Sequence, residues 1–233
     1  NFVGWQIQKN GRTIQELIQK TLKKTCKQNI TLYGSGRTDS GVHAIAQSAH
    51  FSLKKKINNK LLFLNTLNFF LNKKKISILN IIIKKKNFHA RYSAKKRIYE
   101  YIIINRVAPL SLDYNKAWHI RSPLNILLMK KAANHLLGTK DFSTYRSSSC
   151  GAKSPIRTIE KVMIKKNKNK VIIMFKSQSF LQKQVRSMVG CLKLVGEKKW
   201  SIKKFKNVLD SKKRSSCAPP APARGLYLSK VFY

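Results

Sequence analysis

Acidic side chains are scarce in this chain: 8 Asp and Glu stand against 49 Lys and Arg in 233 residues, a formal net charge of +41. That imbalance argues against cationic substrates and points to a polyanionic partner, nucleic acid before anything else. Part of the charge has a plainer origin, since Lys, Asn and Ile are all abundant, as an AT-biased genome produces. Runs such as Lys54-Lys55-Lys56, Lys73-Lys74-Lys75 and Lys84-Lys85-Lys86 read as solvated loop and strand ends. Cysteine is also sparse. Cys26, Cys150, Cys191 and Cys217 are widely spaced, with no C-x-x-C and no paired Cys/His cluster, so neither a structural zinc site nor a disulfide framework is expected. His43 and His50 lack a carboxylate or thiol at metal spacing, and no metal is expected there. No apolar segment approaches membrane-spanning length free of charge and no secretory signal opens the chain, which sets the expectation of a cytoplasmic protein.

Nucleotide-binding loops are missing too. There is no G-x-x-x-x-G-K-[ST], and Gly34-Ser35-Gly36 has Asp39 where the third glycine of G-x-G-x-x-G belongs, followed by strand-like composition where a helix should open. What stands there instead is Gly34-Ser-Gly-Arg-Thr-Asp-Ser-Gly-Val-His-Ala44, which sets one carboxylate among glycines beside Arg37. Glycines permit close approach of a substrate to the backbone. An arginine beside a carboxylate favours its ionised form, the state a nucleophile needs at neutral pH. A D-S-G triplet taken alone is more often an Asx-type turn whose Asp caps its own backbone.

Patterning predicts mixed strands and helices in two halves, residues 1–86 and 87–233. Thr13-Ile-Gln-Glu16 is a capping box, and Ile14, Leu17, Ile18 and Leu22 follow helical spacing, so a helix is expected over 13–26. A short strand at 30–33 should feed the glycine loop and another should leave it at 46–51. A helix is expected over 61–71 and a strand over 76–83. In the second half, 97–105 is a strand whose alternation sends Tyr99 and Tyr101 to one face and Glu100 to the other. Ser122-Pro123 should start a helix that Gly138 ends. Strands are expected over 157–165, 171–177 and 226–232, and Leu181, Val185, Met188, Val189 and Leu192 mark the buried face of a helix.

Six blocks, in order, resemble the tRNA pseudouridine synthase A family, whose members isomerise uridines 38 to 40 of the tRNA anticodon stem-loop. They are Phe2-Val-Gly-Trp-Gln-Ile-Gln8; the G-R-T-D-S-G-V-H-A string with Gln47 and His50-Phe51; Phe88-His-Ala-Arg-Tyr-Ser-Ala94; Arg97-Ile-Tyr-Glu-Tyr101; Phe180-Leu181 with Val185-Arg-Ser-Met-Val-Gly190; and Ala221-Pro-Ala-Arg-Gly-Leu-Tyr-Leu228. The resemblance implies an α+β fold of two pseudo-related halves sharing a broad, mainly antiparallel sheet with flanking helices. It implies a homodimer acting on tRNA with neither cofactor nor metal, the first half carrying the catalytic loop and the second completing the cleft. Asp39 becomes the nucleophile, attacking C6 of uracil or C1′ of ribose or promoting glycal formation. Arg37 then fills the vacated base position or steadies the backbone, and Arg186 pairs with the carboxylate.

Tyr99, ordinarily a core residue on a strand face, falls on the family tyrosine that packs against the target uracil. Leu181 lines the base pocket or belongs to the core. The chain departs from the pattern at Arg224, a place often acidic, and at Asn1, where the family's preceding strand with its Y-D-G ending is expected further upstream. A non-catalytic basic RNA-binding protein is the alternative from another class. It accounts for the charge and not for a carboxylate presented to anionic RNA.

Overall fold

The capping box at Thr13 does what its spacing predicts. In the computed structural model, which describes residues 2–233, helix α1 runs Ile14–Cys26 and the Thr13 hydroxyl accepts a hydrogen bond from the Glu16 N–H at 3.3 Å. Lys27, in the left-handed region at φ 50°, ends it. Helix α2, Lys60–Leu71, starts where the Asn59 side chain accepts from the Leu62 N–H. Leu17, Ile18 and Leu22 of α1 pack with Leu67 and Leu71 of α2 and with Trp5, Ile30, Leu32 and Ile76 in one core. This is the first of two compact units, comprising the residues through Gly41, Ala46–Ala94 and Tyr233.

The strands of this unit are shorter than the pattern predicts, because side chains take up the backbone groups a ladder would use. Strand β1 is Tyr33–Gly34, paired antiparallel with β3, Ala49–His50. Just before it, the Leu32 carbonyl accepts from Gln15 Nε2 at 2.7 Å and the Leu32 N–H donates to Gln19 Oε1 at 3.1 Å, so α1 holds the expected 30–33 strand. The segment 76–83 is likewise not a strand. Asn68 of α2 bonds both the N–H and the carbonyl of Ile78, at 2.7 and 2.9 Å. Period-two alternation lasts only from Ile76 to Leu79 and then slips: Ile76, Ile78 and Ile81 face the core while Leu79, Ile82 and Ile83 are exposed.

The second unit, Val42–Ile45 with Lys95–Phe232, is built on a seven-stranded sheet. Its strands are β2 His43–Ala44, β4 Lys96–Asn105, β5 Trp118–Ile120, β6 Gly138–Asp141, β7 Ile156–Asn167, β8 Lys170–Ser177 and β9 Leu226–Phe232. The order is β2-β9-β4-β8-β7-β6, with β5 beside β4. Only β2·β9 and β4·β5 are parallel. The fold is therefore α+β with a mainly antiparallel sheet, to which the first half of the chain contributes two-residue β2.

Helices α3 Ile126–Ala133, α4 Gln184–Gly196 and α5 Ile202–Asp210 bury Met129, Met188, Leu192 and Phe205 with Tyr101, Ile103 and Phe175 of the sheet. Helix α3 begins later than Ser122-Pro123 predicts. The Asn105 side chain donates to the Ile120 and Ser122 carbonyls and accepts from the Leu124 N–H, which holds that stretch extended and leaves Asn125 to cap the helix. Gly138, at φ 87°, opens β6 instead of closing the helix. At the end of α4, Glu197 accepts from Ser122 Oγ at 2.6 Å and pairs with Lys193 and Lys199 at 2.8 and 3.1 Å. Burial pushes its carboxyl pKa up, but the bonds from Lys193, Ser122 and Lys199 outweigh that and hold it at about 2.

Candidate active site

The loop from Gly34 to Gly41 is laced in place by the two blocks that surround it in sequence. A side chain at Gly34 would fall within 2.5 Å of the Trp5 indole, so the buried tryptophan can lie against the loop only because this residue is glycine. The Trp5 N–H donates to the Thr38 carbonyl at 3.1 Å, and Ser40 Oγ donates to the Phe2 carbonyl at 3.1 Å. On the other flank the Ser35 N–H reaches the Ser48 carbonyl, Ser35 Oγ bonds Gln47 Oε1 at 2.5 Å, and Gln47 Nε2 donates to the Gly36 carbonyl at 2.9 Å. Gly41 closes the loop at φ 75°. These anchors bracket Asp39, which is half-buried, and Arg37, which is exposed on the same loop. A backbone fixed on both sides presents the carboxylate in a preset position, which a nucleophile needs.

Tyr99, Leu181 and Arg186 lie in the second unit. Tyr99 is buried on β4, its ring edge-on to Phe180 at 5.3 Å, and the β4·β9 register shifts between Ile98 and Tyr99. Such a bulge re-aims the side chain beside it. Leu181 is buried in the same core, its N–H donating to Gln184 Oε1 at 2.8 Å as the chain turns into α4. Arg186, on the first turn of α4, donates from Nε to the Ala221 carbonyl at 2.7 Å while the Ala221 N–H donates to the Arg186 carbonyl at 2.9 Å. This two-way clasp depends on Gly190, where a Cβ would stand 2.2 Å from the Pro219 carbonyl oxygen. The last block thus seats the arginine of the block before it.

Several residues that the sequence groups with the site are structural. Tyr101 is fully buried, with its hydroxyl donating to the Pro222 carbonyl at 2.7 Å, and burial pushes its pKa up. Gly225 leaves room for its ring. His43 stacks on Tyr227 at 4.7 Å and bonds the Asn115 carbonyl. Among the described residues no group of three His, Cys, Asp or Glu could hold a metal ion. All four cysteines are free, yet Cys191 and Cys217, distant in sequence, lie 3.6 Å apart at sulfur. Sequence reasoning missed a ring cluster next to the loop, Tyr33 with His50, His89 and Tyr92; the histidines inside two of the resembling blocks were the available signal.

A mainly antiparallel α+β fold, an anchored glycine loop presenting a carboxylate and a chain this poor in acids define a nucleic-acid-modifying enzyme. A family model described as tRNA pseudouridine synthase matches residues 1–93 and 132–233. The chain is 58% identical over 233 residues, all of its length and 95% of the relative's, to tRNA pseudouridine synthase A of Pelagibacter ubique. It is 43% identical to the protein of that name from Ehrlichia chaffeensis, covering 95% of it, and 40% identical to that of Parvibaculum lavamentivorans, covering 94%. The chain belongs to the tRNA pseudouridine synthase family. Among the described residues no helix is long and apolar enough to cross a membrane.

Proposed function

We propose that this chain converts uridine to pseudouridine at positions 38 to 40 of the tRNA anticodon stem-loop, with Asp39 as nucleophile. The observation that carries the reading is the anchored carboxylate loop in a chain of this family. A uridine inside a stacked stem hides the bond to be broken, so the nucleotide turns out into a pocket whose contacts offset the unstacking. Arg37 fills or steadies the space left behind. Asp39 then engages the nucleotide at C6 or C1′, or promotes a glycal. The freed uracil rotates, C5 bonds to the ribose, and loss of the C5 proton completes the isomerisation without change in composition. Tyr99 packs against the turned-out uracil with Leu181 at its edge, and Arg186 pairs with the Asp39 carboxylate. The division of labour is a first half carrying the loop and a second completing the cleft, in a cytoplasmic homodimer whose second protomer supports the rest of the tRNA.

The test is release of tritium to water from tRNA labelled at C5 of uridine. Wild-type protein should release it. Asp39→Asn should abolish release while tRNA affinity stays within a few-fold, because the change removes the nucleophile and no cation. Turnover near wild type in the Asn variant refutes the role of Asp39, and no release by the wild type, with tight binding, would favour a pure RNA binder.

A further inference from the structure

The residue before the glycine loop carries an exposed aromatic ring. Tyr33 on β1 is 48% exposed and stacks on His50, its partner across the β1·β3 ladder, at 5.1 Å and 21°. His89 meets His50 at 4.6 Å and Tyr33 at 5.6 Å, and Tyr92, 76% exposed, lies over His89 at 4.4 Å. The two imidazoles are fixed from behind. His50 Nδ1 accepts from the Ala90 N–H at 3.1 Å and His89 Nδ1 accepts from the Arg91 N–H at 3.1 Å. Rings that served only as core would be covered; here the two outer ones present their faces to solvent over a rigid base.

Beside the rings lies a recess of about 270 Å³, lined by Tyr33 and His50 with the polar side chains of Gln28, Asn29, Thr31 and Ser52. It is smaller than the ~300–1,000 Å³ clefts that hold drug-sized ligands, the scale of a single base. Carboxamides and hydroxyls at its rim can meet the edge of such a base. The electrostatics agree. Glu16 and Asp39 are the only carboxylate side chains in the first unit, and no acid occurs between Asp39 and Glu100 while Lys54-Lys55-Lys56, Lys84-Lys85-Lys86 and Arg91 do.

We infer that Tyr33, its His50 backing and the Gln28–Ser52 recess form an accessory subsite that stacks an unpaired RNA base next to the nucleotide held at the Asp39 loop. The subsite rests on the functional reading above. Tyr33 immediately precedes Gly34, so a base stacked there is a near neighbour in the RNA of the base that reaches the loop. Stacking on an aromatic face is tolerant of base identity, which suits an enzyme whose targets sit in different sequence surroundings.

The experiment compares wild type, Tyr33→Phe, Tyr33→Leu and Thr31→Leu for binding to an anticodon stem-loop RNA and to a fully paired RNA duplex of equal length, with tritium release measured in parallel. Tyr33→Leu keeps the bulk and loses the π-face, so stem-loop affinity should fall on the order of 5- to 100-fold with duplex affinity unchanged. Tyr33→Phe should bind like wild type. Thr31→Leu, at an exposed position, fills the recess without touching the core and should show the same loop-selective loss. Wild-type stem-loop affinity in both Leu variants overturns the subsite, as does an equal loss on duplex. A change in sedimentation with unchanged RNA affinity assigns the rings to a second copy of the chain and overturns it too. If wild type releases no tritium but Tyr33→Leu still weakens stem-loop binding and leaves duplex binding unchanged, the subsite stands and the isomerase reading falls.

Discussion

Gly190→Ala isolates the clasp on Arg186. The new Cβ would lie 2.2 Å from the Pro219 carbonyl oxygen, where ordinary contact begins near 3.4 Å. The obstacle is backbone, so no side-chain rotation relieves it, and Pro219 must retreat by roughly 1 Å. Overpacking of this kind costs about 1–3 kcal/mol, offset by the ~1 kcal/mol by which Ala outranks Gly inside a helix. A net loss of about 0–2 kcal/mol lowers the Tm by up to roughly 8 °C in a chain of this size. On the proposed role of Arg186, the larger effect falls on catalysis. Ala221, two residues from Pro219, carries both bonds to Arg186, and a misplacement near 1 Å costs on the order of 10²-fold in rate. Thermal melting and tritium release, measured together, should show at most a modest Tm loss beside a large fall in kcat. Gly151→Ala is the control, since nothing lies within 4 Å of its Cβ and its φ is not left-handed; it should stay within about 0.5 kcal/mol of wild type. Unchanged melting and rate in Gly190→Ala would refute the clash, and lower melting with a normal rate would detach the clasp from the chemistry.

Tyr99→Phe keeps the ring and should retain much of the RNA affinity, whereas Tyr99→Leu should lose on the order of 1–3 kcal/mol of stacking; near-wild-type rates in both would make Tyr99 a core residue only. Glu197 has a folded pKa of about 2 against an ordinary 4.5, so its contribution is fully present above about pH 4.5 and is lost as pH falls toward 2. Urea titrations at pH 7 and pH 3 should show Glu197→Gln weaker than wild type by a margin that narrows at the lower pH; a constant margin refutes the linkage. With a net charge of +41, log affinity for tRNA should fall linearly with log salt, losing on the order of tenfold or more between 50 and 200 mM. A flat response would leave the charge as an uninvolved surface.

The elements legible in the sequence are those whose signals are local. Helix α1 follows from Thr13 and Glu16, and β4 from alternation that holds from Lys96 to Ile103 in the sheet, with Arg97, Tyr99, Tyr101 and Ile103 buried. The 76–83 stretch alternates only as far as Leu79, no strand pairs with it among the described residues, and Asn68 bonds the backbone of Ile78 in the place of a neighbouring chain. Periodicity reports which face is buried and not who supplies the hydrogen bonds. Short β5 and β6 carried too weak a pattern to register, whereas α5 was overlooked although Ile202, Phe205, Val208 and Leu209 follow helical spacing behind the Ser201 cap. For the candidate site, the resembling blocks marked positions without explaining them. That Trp5 needs Gly34 and that Gly190 lets Ala221 clasp Arg186 are contacts between distant segments. No window along the chain contains them.

The place of β9 in the sheet sets the timetable of folding. During synthesis β4, β7 and β8 can form a three-stranded sheet as soon as they are made, because β7 and β8 are joined by a tight turn and β8 pairs with β4. The side of β4 that faces β9 is made 120 residues before β9 begins, and β2, made long before, has no partner until β9 lies between them. Until then the nascent chain exposes an unpaired edge along its central strand, the kind of template that recruits other chains. Completion of the sheet is thus a late, long-range event, and a ribosome stalled before residue 226 would release a species prone to aggregate, whatever the stability of the finished fold.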